Sequence, residues 1–185
     1  METGIEEFNV GQVDLQKYID EAYERKPSRP SRRMGASFIG KPCERAVWLK
    51  FHWAIQENLD GQKLRTFALG HNLEDVMADD LREIGCKLRY TGADQIELKI
   101  RPLLVCYPDG LIESGLPGAE KTLHAWDNKI MADKYYKELV KKGLKASHPE
   151  YYSQLQLEMY GLTQELKRKV ERALITVINR ETSQI

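Results

Sequence analysis

The chain has 185 residues, of which 42% are hydrophobic and 30% charged, and its formal net charge is zero. This composition is typical of a globular domain. It excludes a protein that binds nucleic acid non-specifically through a uniformly basic surface. No apolar run approaches the roughly 18–20 residues that span a bilayer, and the acidic residues 1–10 lack the layout of a signal peptide. We therefore expect one cytoplasmic domain with no membrane partner.

Hydrophobic periodicity predicts the order of the elements along the chain. Apolar residues at helical spacing predict helices over residues 13–25, 43–53 and 64–85, the last with Gly85 as a stop signal. Short apolar or alternating runs predict strands at residues 87–90, 95–100, 103–107 and 123–130. Helical period returns over residues 132–142 and 150–167, before a β-rich run at 172–179. This order predicts an α/β fold, with a central mixed β-sheet flanked by helices.

Two patterns that could indicate a bound cofactor, the cysteines and a glycine-containing loop, do not match the known motifs. Cys43, Cys86 and Cys106 are odd in number and far apart, which argues against a disulfide framework or a zinc knuckle, so we expect all three to be buried. Residues 115–122 nearly match a phosphate-binding P-loop, but Glu120 stands where the second glycine is required, and the run leads into a predicted strand. We therefore expect no bound nucleotide.

Basic residues concentrate in two stretches despite the zero net charge. The first, residues 25–50, has one acid, Glu44, and these basic residues: Arg25, Lys26, Arg29, Arg32, Arg33, Lys41, Arg45 and Lys50. The second comprises Lys134, Lys137, Lys141, Lys142 and Lys145. Either stretch would suit phosphate contacts, although a solvated face is the commoner explanation of such a run.

Three acidic positions and a lysine are candidates for chemistry. Pro108-Asp109-Gly110 is typical of a turn, but it would also place a carboxylate at a strand end. Strand alternation predicts that Asp127 and Lys129 project side by side, as a surface ion pair or as the acid and cation of a phosphodiester-cleaving site. Glu74 falls in the row of apolar residues of its helix, formed by Phe67, Gly70, Met77, Leu81 and Ile84.

Polar residues on two predicted helices extend this candidate set. An inward carboxylate such as Glu74 needs a partner or a metal, and His71 lies one i,i+3 step away, although a hydrogen-bonded core histidine is the simpler interpretation. Gln156 and Tyr160 lie four residues apart, beside the predicted apolar stripe of Leu155, Met159, Leu162 and Leu166. They are either the shoulder of the helix or hydrogen-bonding groups directed into a cleft.

The order of these signals resembles the PD-(D/E)XK nuclease superfamily, and specifically its RecB-like branch, which includes phage exonucleases. Pro108-Asp109 corresponds to the PD pair, Asp127-Asn128-Lys129 to the (D/E)XK motif, and Gln156 to Tyr160 to the Q-x-x-x-Y motif. Gly70-His71 and Glu74 match the first helix of that branch. The resemblance, over roughly residues 38–179, implies a restriction-endonuclease-like αβββαβ core. A single nuclease domain would then span 1–185, with an N-terminal helix and basic loop at 1–33 and the core at 34–180.

The resemblance also implies roles for individual residues. Asp109 and Asp127 would ligate Mg²⁺ or Mn²⁺ together with the backbone carbonyl of Asn128, and Lys129 would orient the attacking water. His71 or Glu74 would add a ligand or hold a metal-bound water. Five residues would contact DNA: Gln156, Tyr160, Arg45, Arg32 and Arg33. The four-cysteine iron–sulfur cluster of some relatives has no counterpart here, so no iron–sulfur cluster is expected.

The function so implied is an exonuclease of DNA recombination, repair or degradation, of phage origin and acting in the host cytoplasm. Its substrate would be double-stranded DNA ends or a single strand. A homo-oligomer and a recombination or replication partner protein are further expectations. Two alternatives stay open, a structure-selective or restriction-like endonuclease and a non-catalytic nucleic-acid-binding module that keeps the nuclease fold.

Overall fold

The structure is a computed structural model that describes residues 14–26, 33–52, 54 and 59–185. Helices in this part of the chain are α1 (Leu15–Glu24), α2 (Glu44–Phe51), α3 (Gly61–Glu83), α4 (Asp133–Lys142), α5 (Leu144–Ser147) and α6 (Pro149–Leu166). Its strands are β1 (Met34–Gly35), β2 (Lys87–Arg89), β3 (Leu98–Arg101), β4 (Leu104–Cys106), β5 (Gly110–Ser114), β6 (His124–Met131) and β7 (Arg172–Asn179). None of the described helices is both long and apolar enough to cross a bilayer.

The strands form two sheets rather than one central sheet. The larger sheet has the order β2-β5-β6-β7, in which β5 is antiparallel to β2 and β6, while β6 and β7 run parallel. The smaller sheet has the order β1-β4-β3, with a parallel β1/β4 pair and an antiparallel β3/β4 pair. An α/β fold with mixed sheets and flanking helices is therefore confirmed, but a single central sheet is not.

The two faces of β6 carry different cores because successive side chains of a strand point in opposite directions. Ala125 belongs to a cluster that includes Leu162 of α6. Trp126, the next residue, belongs to a second cluster with Met77 and Leu81 of α3. The sheet thus has α6 on one side and α3 on the other, and Asp127 and Lys129 follow the alternation onto the side of Ala125.

Helix α3 extends beyond the sheet and is held there by α1. Asp60 caps its first turn by accepting a hydrogen bond from the backbone N–H of Lys63 at 2.8 Å. Glu24 of α1 accepts a second one from the N–H of Gly61, also at 2.8 Å. A Cβ at Gly61 would lie 2.3 Å from the Cα of Asp20, so only glycine lets α1 approach this closely. The amino-terminal half of α3 is therefore anchored outside the main core.

Most predicted elements are confirmed, with boundary shifts of a few residues. Strand β5 was not predicted, because its five residues begin at the glycine of the turn-like Pro-Asp-Gly. Strands as short as β1 and helices as short as α5 were also missed. Cys86 and Cys106 are buried as expected, but the expectation was wrong for Cys43, which is exposed at the start of α2. The predicted helix end at position 53 and most of the basic loop, positions 27–32, lie outside the described residues.

Candidate active site

The acid of the Pro-Asp pair lies where the chain passes from the smaller sheet to the larger one. Asp109 immediately precedes β5, and its Oδ2 accepts a hydrogen bond from the backbone N–H of Asn128 at 2.7 Å. The Asn128 side chain accepts a hydrogen bond from the Thr176 hydroxyl of β7 at 2.8 Å. Asp109 is therefore held against β6, so the strand-end position applies and the simple turn does not.

Asp127 and Lys129 lie side by side on β6, as alternation predicts. The Lys129 Nζ is 2.5 Å from Asp127 Oδ2, with the Asp127 side chain fully buried and that of Lys129 21% exposed. The alternative of a solvated surface ion pair is therefore wrong. A buried pair of this kind loses the hydration of both charges, so its retention needs further polar contacts around it.

Helix α6 supplies those contacts through Gln154 and Glu158. The Gln154 side-chain amide donates to Asp127 Oδ1 and to Glu158 Oε1, each at 2.8 Å. Glu158 is fully buried, and its Oε2 has no hydrogen-bond partner among the described residues. A carboxylate oxygen without a donor is costly in the interior, so this position suits either a proton or a cation.

The electrostatics of the cluster show an excess of acid. Burial, then the charge of Asp127, raises the pKa of Asp109 to about 7. Burial likewise raises the pKa of Asp127, and burial together with Asp127 raises the pKa of Glu158 well above its ordinary range. Burial lowers the pKa of Lys129, but Asp127 and Asp109 outweigh that effect, so the net change is upward. Two buried carboxyl groups and the half-buried Asp109 therefore lie near one firmly protonated ammonium.

Glu74 and His71 do not occupy the inward position expected of them. Met77 and Leu81 are buried, but Phe67 and Ile84 of the same predicted row are exposed. The Glu74 side chain is 28% exposed and lies 3.3 Å from Nδ1 of the largely exposed His71. Its charge nevertheless contributes, as the smallest cause, to the raised pKa of Asp109. Across the described ranges, no three His, Cys, Asp or Glu side chains are grouped so that they could hold a metal ion.

The predicted DNA contacts are scattered. Gln156 and Tyr160 are both exposed. The side chain that α6 directs at Asp127 is instead Gln154, which also binds Glu158. Arg45 is exposed at the start of α2. Arg33 is in an ion pair with Glu97, which also accepts a hydrogen bond from the Tyr107 hydroxyl. Arg32 lies outside the described residues.

Gln154 and Glu158 are the residues that sequence reasoning missed. Glu158 lies three residues after Leu155 and four before Leu162, so it falls in a buried helical row. That is the criterion that singled out Glu74, and here it holds in three dimensions. A search for every acid within an apolar helical row would have found Glu158.

The resulting geometry combines oxygen ligands, a fixed cation and a sheet that sets their spacing. Carboxylate oxygens are the ligands that hard divalent cations prefer, and the ammonium of Lys129 adds a positive charge beside them. No protein-family model, curated protein or solved structure matches this chain.

Proposed function

We propose that this chain is a divalent-metal-dependent DNA nuclease of the PD-(D/E)XK type, with Asp109, Asp127 and Lys129 at its catalytic centre. The observation that supports this most is the convergence of three acids, the buried Asp127 and Glu158 and the half-buried Asp109, on one lysine ammonium. An uncompensated group of buried carboxylates is unfavourable in itself and would be stabilised by a cation.

The chemistry of the donors fits Mg²⁺ or Mn²⁺. Asp109 and Asp127 would hold the ion, together with the backbone carbonyl of Asn128, and the buried Oε2 of Glu158 adds negative charge close by. When bound, the ion supplies Lewis acidity at the phosphate and a water of lowered pKa. Lys129 supplies a fixed positive charge, which offsets the negative charge that develops on the phosphate during hydrolysis.

The order of elements in the larger sheet supports the same proposal. Helix α3, strands β2, β5 and β6, helix α6 and strand β7 occur in the order αβββαβ, with β3 and β4 inserted after β2 and α4 and α5 inserted after β6. Among the described strand pairs of this sheet, only the last, β6/β7, is parallel. This arrangement fits a restriction-endonuclease-like core in which the catalytic residues lie at β5 and β6.

The decisive experiment incubates the protein with linear and with circular plasmid DNA in Mg²⁺, Mn²⁺ or EDTA. We expect metal-dependent degradation, and a rate at least about a hundredfold lower for Asp127→Ala and for Lys129→Ala. Asp79→Ala is the matched control, because Asp79 is an exposed acid of α3 paired with Arg82, and it should cleave at the wild-type rate.

The form of DNA that is degraded separates the candidate activities. Loss of linear DNA alone selects an exonuclease, whereas loss of circular DNA selects an endonuclease. DNA binding without degradation under any metal would contradict the proposal and select the non-catalytic binding module.

A further inference from the structure

A connected set of aromatic rings leads from Lys129 to the protein surface. The Lys129 ammonium lies 5.4 Å from the centre of the Tyr151 ring. That ring stacks on His148, with centroids 5.4 Å apart and planes within 5°. Tyr135 meets His148 edge-to-face at 6.4 Å. We call Tyr135, His148 and Tyr151 the aromatic ledge.

The fold places the aromatic ledge at the end of the catalytic strand. Helix α4 begins two residues after β6 ends, so Tyr135 lies in the first turn beyond the strand that carries Lys129. His148 precedes α6, is buried, and has its Nδ1 2.9 Å from the Ser147 hydroxyl. The ledge therefore has a fixed inner part, while Tyr135 is 51% exposed at its outer end. An exposed tyrosine on a buried support offers a ring face to a ligand.

Lysines outnumber acids on the two helices, α4 and α5, that lie beside the ledge. Residues 133–147 contain five lysines and two acids, and the acids are already paired, Asp133 with Lys137 and Glu138 with Lys142. Lys134 lies 5.8 Å from the Tyr135 ring centre, and Lys145 lies 5.4 Å from that of Tyr152. Aromatic faces flanked by lysines suit a ligand that has both flat rings and negative charges.

We propose that the aromatic ledge binds single-stranded DNA and directs one unpaired strand towards Lys129. This inference rests on the proposed nuclease function of the buried acids. Single strands bind by stacking bases on aromatic side chains while basic residues follow the phosphates. A duplex keeps its base faces stacked internally, so it would contact the lysines but not the ring of Tyr135.

Binding without cleavage tests the proposal directly. The full chain is titrated in EDTA, at one fixed salt concentration, into a fluorescein-labelled oligothymidine and into a blunt duplex of equal length, and anisotropy gives both dissociation constants. We expect Tyr135→Ala to weaken single-strand binding about tenfold and duplex binding less than about twofold. Tyr135→Phe keeps the ring and should bind both ligands as the wild type does.

Val140→Ala is the matched control, because Val140 is 70% exposed on the same helix and lies outside the ledge. Unchanged single-strand binding by Tyr135→Ala, or an equal loss of affinity for both ligands, would overturn the proposal that the aromatic ledge binds single-stranded DNA. If the wild type also cleaves linear DNA in Mg²⁺, that result leaves the nuclease proposal standing. If the wild type cleaves nothing but Tyr135→Ala loses single-strand affinity, the nuclease proposal fails and the ledge is supported as a binding surface.

Discussion

Helices α3 and α6 lie on opposite sides of β6, and each carries an acid among apolar neighbours. Glu158 of α6 is fully buried beside Gln154 and the Asp127–Lys129 pair. Glu74 of α3 has a similar sequence context, yet its side chain is 28% exposed beside His71. Two acids with the same local pattern therefore have different environments.

The difference follows from what each helix packs against. Buried residues of α6 run from Gln154 to Leu162, through the middle of the helix. In α3 they are Gly61, at the contact with α1, and three residues near the carboxyl end, Met77, Ala78 and Leu81. Glu74 precedes the part of α3 that meets Trp126. A row of apolar residues along a helix therefore predicts burial only for the part of the helix that packs against a sheet.

The largest expected consequence is a fall in the stability of metal-free protein as pH rises. Because the pKa of Asp109 is about 7 when folded and near 4 when unfolded, the folded state holds the extra proton between these values. Stability is then fully present below about pH 4 and lost as pH rises to about 7, and the raised pKa of Glu158 acts in the same direction. In EDTA, urea denaturation should show that between pH 4 and pH 8 the wild type loses about 2–4 kcal/mol more free energy of unfolding than Asp109→Asn, a comparison in which the partly exposed acids with lowered pKa, such as Glu97 and Asp133, cancel.

Two variants identify which acid causes the pH dependence of the free energy of unfolding. Asp109→Asn should reduce it, because the amide cannot ionise, and the part due to Glu158 should remain. Glu74→Gln should leave it unchanged, because the partly exposed Glu74 is the weakest contributor to the buried cluster. An identical pH dependence in Asp109→Asn and wild type would contradict the assignment.

A second, smaller effect compares the two helix acids in cleavage. Charges a few ångströms apart inside a protein interact by a few kcal/mol, whereas exposed charges are screened. Glu158→Gln should therefore lower the rate of DNA cleavage at limiting Mg²⁺ about tenfold, and Glu74→Gln less than about threefold. Mg²⁺ titration of the cleavage rate separates weaker ion binding from slower chemistry. If Glu74→Gln lowered the cleavage rate more than Glu158→Gln does, Glu74 rather than Glu158 would be the helix acid that assists metal binding.

The sequence predicted those features that depend on local periodicity. Alternation along β6 correctly placed Asp127 beside Lys129, and the helical period correctly placed α6 and the burial of Leu155 and Leu162. It could not select between Gln154 and Gln156, which lie two residues apart and so on nearly opposite sides of one helix. Only the packing of α6 on the sheet decides which amide reaches Asp127.

The division of the strands into two sheets was likewise beyond local patterns. Strands β3 and β4 have the same alternating texture as β2 and β6. They pair with each other locally, but the pairing of β4 with β1 depends on contacts distant in sequence. The partial burial of Asp109 depends in turn on that division, because Asp109 lies at the crossing between the sheets.

The smallest expected effect is on the free energy of unfolding, when one glycine of α6 and one of α3 are replaced by alanine. A Cβ at Gly161 of α6 would lie 2.9 Å from Ile100 Cδ1 and 3.0 Å from two atoms of Leu98, whereas one at Gly70 of α3 would meet nothing within 4 Å. Gly161→Ala should lower the free energy of unfolding by about 1 kcal/mol, since Ile100 must shift. Gly70→Ala should raise it by about 0.5–1 kcal/mol, since alanine favours the helix and gains no clash. Urea denaturation of both variants measures these changes. Equal changes would mean that α3 and α6 approach their neighbours equally closely, contrary to the packing that separates Glu74 from Glu158.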